Sequence, residues 1–179
     1  AVGHNFPQGL VGIDAATALV RVGDLDRITD LQLTAVERLQ ARDGTSLGFR
    51  HYPSSVPSTG RAAIVVHGSS GSSGGTIHAL SAALARRGVE TWAVDIRGHG
   101  TSGTRGDIGY VGQLEHDLAD LVGVIRKTAP SAPLTLIGHS AGGGFALRVA
   151  GSPIQNLFER EGIRRGFLPL RDPDGMGAV

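Results

Sequence analysis

Leu134-Thr135-Leu136-Ile137-Gly138-His139-Ser140-Ala141-Gly142 is the stretch on which the fold turns. A short apolar run, Leu134 to Ile137, is followed by G-x-S-x-G, and Ser140 then opens a segment to about Ala150 that reads as a helix. A serine in a sharp strand-to-helix turn has a strained backbone that lifts its hydroxyl clear, and the flanking glycines remove side chains that would clash. The pentapeptide alone is weak, because a second literal match stands at Gly71 to Gly75. Context separates the two. Ser73 falls inside a nine-residue Gly/Ser loop, His67 to Gly75, where nothing is expected to hold it in one position. Ser140 is therefore the candidate nucleophile, against a simpler reading in which Gly138 and Gly142 only let helix and strand pack closely.

Working outward, two more apolar runs, Ala62 to Val66 and Val89 to Asp95, precede this one, with a longer amphipathic segment in each interval. That alternation predicts an α/β fold with parallel strands and crossover helices. Ile77, Leu80 and Leu84, ending at Gly88, follow helical spacing. Val111, Leu114, Leu118, Leu121, Val122 and Ile125 share one helical face, with Glu115, Asp117, Asp120 and Arg126 off it. Upstream, Arg38 to Arg42, Asp43-Gly44 and Thr45 to Tyr52 read as a hairpin with a tight two-residue turn.

The ends are less regular. Residues 1–36 hold no clean period, although Asp24 to Val36 offers a short helix, and they form an N-terminal segment of uncertain structure. Residues 37–158 form a partial α/β domain. In the tail, 159–179, the stretch from Glu161 onward has three Arg, four Gly and two Pro with neither period 2 nor 3.6, so no buried strand is expected there.

Composition removes several function classes. The 28 Gly and 8 Pro are about a fifth of the 179 residues, yet 40% apolar and 18% charged residues exclude a disordered polyelectrolyte. The net charge is +1 and the basic residues are scattered, so no nucleic-acid partner is expected. Without Cys there is no disulfide, thiolate nucleophile or Cys-based zinc site, and the His at 4, 51, 67, 78, 99, 116 and 139 have no metal-ligand spacing. Gly98, Gly100 and Gly103 spell a dinucleotide fingerprint, but the next helical pattern starts only near Tyr110, and Asp117 and Asp120 lie on it rather than at a strand end. No P-loop is present, and neither a metal nor a cofactor is expected. No apolar run approaches the roughly 18 residues of a membrane span. Leu10 to Val20 contains Asp14 and has no basic segment before it, so it does not read as a signal peptide, and a cytoplasmic location is expected.

Three motifs in fixed order now carry a resemblance. They are Val65-Val66-His67-Gly68-Ser69-Ser70, Asp95-Ile96-Arg97-Gly98-His99-Gly100-Thr101-Ser102 and Gly138 to Gly142, each after an apolar run. Over about residues 38 to 158 the chain resembles the α/β-hydrolases, in the lysophospholipase or monoacylglycerol-lipase-like branch that also includes serine-aminopeptidase-like members. The resemblance implies the N-terminal portion of an α/β-hydrolase sheet and attack by Ser140 on the acyl carbonyl of a small-molecule ester or lipid. It also implies an oxyanion hole made by the backbone N–H groups of Ser69 and Ala141, with the alternative that the Gly-rich loop only closes a βα connection. His67 and His99 would shape loops, and His139 would flank the nucleophile.

The chain also departs from that pattern. The family's triad places its acid and then its His after the serine, yet no His follows His139. The acids after Ser140 are Glu159, Glu161, Asp172 and Asp174, the two Asp within Arg171-Asp172-Pro173-Asp174-Gly175, which reads as an exposed turn. Where another apolar strand would follow Leu157-Phe158-Glu159-Arg160, the chain gives Glu161-Gly162-Ile163-Arg164-Arg165-Gly166, as if truncated after the Ser140 strand-to-helix turn by a shifted reading frame. The expected function is a serine hydrolase of carboxylic esters, esterase- or lipase-like, with peptidase as the second chemistry. The alternatives are a catalytically silent fragment or a binding module. The chain is expected to be marginally stable or prone to associate, because the strand Leu134 to Ile137 would lose pairing partners.

Overall fold

The computed structural model describes residues 33–106, 108–158 and 168–170. Six strands form one sheet in the order β1-β2-β4-β3-β5-β6. They are β1 (Val36–Gln40), β2 (Ser46–Tyr52), β3 (Arg61–Val66), β4 (Val89–Val94), β5 (Leu134–His139) and β6 (Leu168–Leu170). β1–β2 and β2–β4 are antiparallel, whereas β4–β3, β3–β5 and β5–β6 are parallel. Helix α1 (Ile77–Ala85) joins β3 to β4, α2 (Gln113–Thr128) joins β4 to β5, and α3 (Ala141–Ala150) follows β5, with a 3₁₀ turn at Pro153–Leu157. The expected α/β fold, with parallel strands and crossover helices in its N-terminal portion, is the observed one.

The central strand shows why its sequence is a continuous apolar run. Ala62, Ile64 and Val66 face a core shared with Leu121 and Ile125 of α2 and Ala146 and Val149 of α3. Ala63 and Val65 face the opposite core, with Ile77, Leu80 and Leu84 of α1. A strand covered on both faces has no solvent side on which to alternate polar residues. β3 leads through α1 to β4 on one side, whereas β5, reached through α2, lies on its other side. The carboxyl ends of β3 and β5 therefore flank the point at which the strand order reverses, the usual place for a ligand in such sheets.

Several expectations are corrected. The β1–β2 turn is longer than two residues: the Gly44 N–H donates to the Ala41 carbonyl (2.8 Å) and the Ala41 N–H to the Thr45 carbonyl (2.9 Å). Of the Asp43-Gly44 pair only Gly44 has positive φ (+84°), which matches a type I turn followed by a glycine bulge rather than a two-residue turn. Val111 is 99% exposed and precedes α2, so it is not part of the helix's buried face.

Glu115 and Asp117, read as lying off that face, are buried in ion pairs. Arg148 donates to both Glu115 oxygens (2.5 and 2.6 Å), which holds the Glu115 carboxyl below its ordinary range. Arg97, 3% exposed, grips Asp117 through two 2.7 Å hydrogen bonds, and its pairing with Asp43 holds that carboxyl low as well. Apolar periodicity misses such positions because a paired charge on a facing element substitutes for an apolar neighbour.

The tail adds β6, three residues beside the outer edge of β5. Leu168-Pro169-Leu170 is too short to display a period, and its proline, lacking an N–H, suits an edge strand. The rest of the tail, the Leu10 to Val20 run and most of the Asp24 to Val36 candidate helix lie outside the described residues; the end of that candidate, Val36, begins β1.

Candidate active site

β5 ends at His139 and α3 begins at Ala141, so the whole change of direction falls on Ser140. Its φ of +52° and ψ of −119° lie where an L-residue is strained, and the Gly143 N–H closes the turn by donating to the Ser140 carbonyl (2.8 Å). The side chain is exposed. Strain at this position has a local cause. A Cβ on Gly138 would stand 2.1 Å from the Gly142 carbonyl oxygen, and one on Gly142 would stand 2.6 Å from the carbonyl oxygens of Val66 and His67. The first turn of α3 is thus pressed against the ends of β5 and β3, and only glycines admit that approach.

The loop after β3 comes to the same place. A Cβ on Gly68 would lie 3.0 Å from the Ser140 Cβ and 3.2 Å from the His139 Nδ1. Ser69, next along, is exposed, as is Ala141. The structure therefore gathers Gly68-Ser69, Ser140 and Ala141 at the carboxyl ends of β3 and β5.

The loop-shaping histidine is anchored at both ring nitrogens. The Ile96 N–H donates to His67 Nε2 (3.1 Å), which puts the ring proton on Nδ1, from where it is donated to the Gly68 carbonyl (2.7 Å). Burial pushes the His67 imidazole below its ordinary value, which favours this neutral form. His99 packs on it, the ring centroids 5.1 Å apart.

Ser73 requires a correction. It is buried (1% exposed), and its N–H donates to Asp95 Oδ1 at 2.5 Å. Far from being unheld, the second G-x-S-x-G is fastened to the end of β4 and its serine is withdrawn from solvent. The signal in the sequence was Asp95 itself, an acid ending an apolar strand just before a glycine-rich turn.

Asp117 and Asp120, the acids at the fingerprint's distance, are held by Arg97 and Arg42. No His/Cys/Asp/Glu group suited to a metal ion occurs among the described residues. Nor, among them, is any helix long and apolar enough to cross a membrane. Glu159, Glu161, Asp172 and Asp174 lie outside the described residues. An open cleft lined by Ile108, Tyr110, Val111 and Arg148 does not include Ser140 among its walls.

Comparison with known proteins places the chain in a family. Residues 58–158, more than half of the chain, match the family model described as serine aminopeptidase, S33. A monoacylglycerol lipase from Mycolicibacterium smegmatis is 33% identical over 72 residues, which is 40% of this chain and 26% of that protein. A probable hydrolytic enzyme from Pseudomonas aeruginosa PAO1 superposes with a TM-score of 0.53 at 27% identity, covering 65% of this chain and 37% of the other. A soluble variant of the Saccharomyces cerevisiae monoglyceride lipase, in complex with a substrate analogue, gives a TM-score of 0.56 at 23% identity and covers 72% and 44%. The 179 residues thus span about a quarter of the curated relative and less than half of either structure.

Proposed function

Since the chain belongs to the serine aminopeptidase S33 family of α/β-hydrolases, we propose that it carries the nucleophile half of a serine hydrolase acting on carboxylic esters, esterase- or lipase-like, within residues 37–158. The observation that carries this reading is the strained, exposed Ser140 beside the Gly68-Ser69 backbone.

In the proposed reaction the Ser140 Oγ bonds to the acyl carbon of a small-molecule ester or lipid and its proton leaves for solvent. The carbonyl oxygen becomes an oxyanion held by the Ser69 and Ala141 N–H groups, and collapse expels the alkoxide, which takes a proton from solvent and departs as the alcohol, leaving an acyl-serine. Each such donor contributes about 3 kcal/mol to transition-state stabilisation in comparable sites. Water then cleaves the acyl-serine, a step that calls for a general base. None is assigned, because no His follows His139 in the 179 residues.

The test follows from that imbalance. Incubated with p-nitrophenyl acetate, the 179-residue chain acquires one acetyl group on Ser140, read by intact mass and peptide mapping, and releases it slowly. Ser140→Ala removes the adduct. Label on Ser73, or none at either serine, refutes the reading and leaves a binding module or silent fragment. The family description favours amide substrates as a second reading, which acylation by an aminoacyl amide but not by the ester would support.

A further inference from the structure

We propose that Asp95 is a positioning residue for the oxyanion loop, a single carboxylate whose two oxygens tie that loop to the turn after β4. The inference rests on the roles given above to Ser140 and Ser69.

Asp95 follows the end of β4 and is 2% exposed. Its Oδ1 accepts the Ser73 N–H at 2.5 Å, and its Oδ2 accepts both the N–H (2.9 Å) and the hydroxyl (3.0 Å) of Thr101. Ser73 closes one end of the segment carrying Ser69, and His67, bonded to Ile96, closes the other. Ser69 and Ser70, between these two fastenings, are exposed. The amide proposed to receive the oxyanion is thus aimed by ties on either side of it rather than by packing of its own.

The chemistry of the clamp explains why an acid stands there. Donors approach both oxygens, so each of the two terminal atoms must accept, which a carboxylate provides and a carboxamide, whose second atom is an –NH₂, does not. An asparagine would turn an –NH₂ toward either the Ser73 or the Thr101 N–H, donor against donor. The surroundings are cleared for the acid. A Cβ on Gly48 would fall 1.9 Å from Thr101 Oγ1 and 3.3 Å from Asp95 Oδ2, and one on Gly100 would fall 2.3 Å from the carboxyl carbon. Ser102 fixes the main chain by donating to the Asp95 carbonyl (2.7 Å) while accepting the Gly48 N–H (2.8 Å).

The experiment is the rate of Ser140 acetylation by p-nitrophenyl acetate in the 179-residue chain, resolved into a limiting rate and a half-saturating concentration. An oxyanion donor acts only in the transition state, so Asp95→Asn is expected to lower the limiting rate about 100-fold, as for a misplaced catalytic contact, with half-saturation unchanged to within about twofold. Amide exchange speeds up in residues 68–75 but not in β3 or α3, which a general loss of structure would not reproduce. Thr101→Val, which keeps the N–H bond, and Gly48→Ala, which displaces the Thr101 hydroxyl, lower the limiting rate less, by about 3- to 10-fold. They decide the matter if Asp95→Asn does not fold. Wild-type limiting rates in the folded variants overturn the role of Asp95 alone. A wild-type chain that never acetylates Ser140 overturns the reading it rests on, and this role with it.

Discussion

Replacing four glycines by alanine, one at a time, tests the seating of the strand-to-helix turn at Ser140 without touching a polar group. Gly138→Ala introduces a methyl 2.1 Å from the Gly142 carbonyl oxygen, where real contacts start near 3.0 Å, so about 0.9 Å of separation must be found. The obstacle is backbone and cannot swing aside; either α3 lifts off β5 or the strand bends. Overpacking a dense site typically costs 1–3 kcal/mol, and a forced backbone shift places this variant at about 3 kcal/mol. Gly142→Ala meets the Val66 and His67 carbonyl oxygens at 2.6 Å, a smaller violation. It also gains helix propensity, so about 2 kcal/mol is lost. Gly144, two residues on in the same helix, is exposed and has nothing within 4 Å of the added atom, as is also true of Gly123 in α2. At those two positions alanine stabilises by about 0.5–1 kcal/mol through propensity alone. Urea unfolding reads all four, because about 3 kcal/mol is a large share of the 5–15 kcal/mol typical of a domain. If Gly138→Ala unfolds at the wild-type midpoint, or shifts in the same direction as Gly144→Ala, α3 is not pressed onto the strand ends and the strained Ser140 loses its structural cause.

Two other perturbations probe the supports around the site. Asp117→Asn takes one partner from a guanidinium that is buried against α2 and should cost about 3 kcal/mol; Arg42→Ala breaks a pair whose arginine side chain is 48% exposed and should cost under about 1 kcal/mol. Equal losses in urea titrations would mean that burial does not set the worth of these pairs. Burial lowers the pKa of His67, so below the ordinary value of 6.5 the folded chain binds fewer protons there than the unfolded chain does. That contribution is complete above pH 6.5 and is lost as the pH falls toward the folded-state value. The urea midpoint should therefore decline from pH 7 to 5, and less steeply in His67→Asn; identical slopes would remove His67 as the source.

How far the sequence discloses this molecule depends on which contacts a residue makes. The β3 run is legible because a strand buried on both faces is apolar along its length, β4 and β5 because most of their residues are apolar, and α1 and α2 from their 3.6-residue spacing. Glu115 and Asp117 are not, since their burial depends on Arg148 and Arg97, 33 and 20 residues away, and nothing local marks an acid that will meet a cation on another element. The β1–β2 turn was visible as Asp43-Gly44 but not its length, because the bulge depends on pairing between Ala41 and Thr45. Ser140 was legible because strand, glycine, serine and helix follow one another directly. The anchoring of Ser73 is not legible locally, because its partner, Asp95, stands 22 residues on, after the next strand.

That contrast bears on how the two G-x-S-x-G segments divide the work. Both place a serine between glycines in a segment that follows a parallel strand of the same sheet. At Ser140 the neighbouring glycines are filled by backbone from α3 and β3, so the residue's own φ and ψ absorb the turn and its hydroxyl is left outside. At Ser73 the amide is spent on a carboxylate and the side chain is buried, which leaves Ser69 and Ser70 as the exposed part of the loop. A hydroxyl that attacks must be free, whereas an amide that receives an oxyanion must be fixed. Under the function proposed above, the first segment of chain meets the second requirement and the later one the first. Exchanging them is therefore not possible by moving a serine: a nucleophile at position 73 would have neither exposure nor strain, and a donor loop at position 140 would have no Asp95 to hold it.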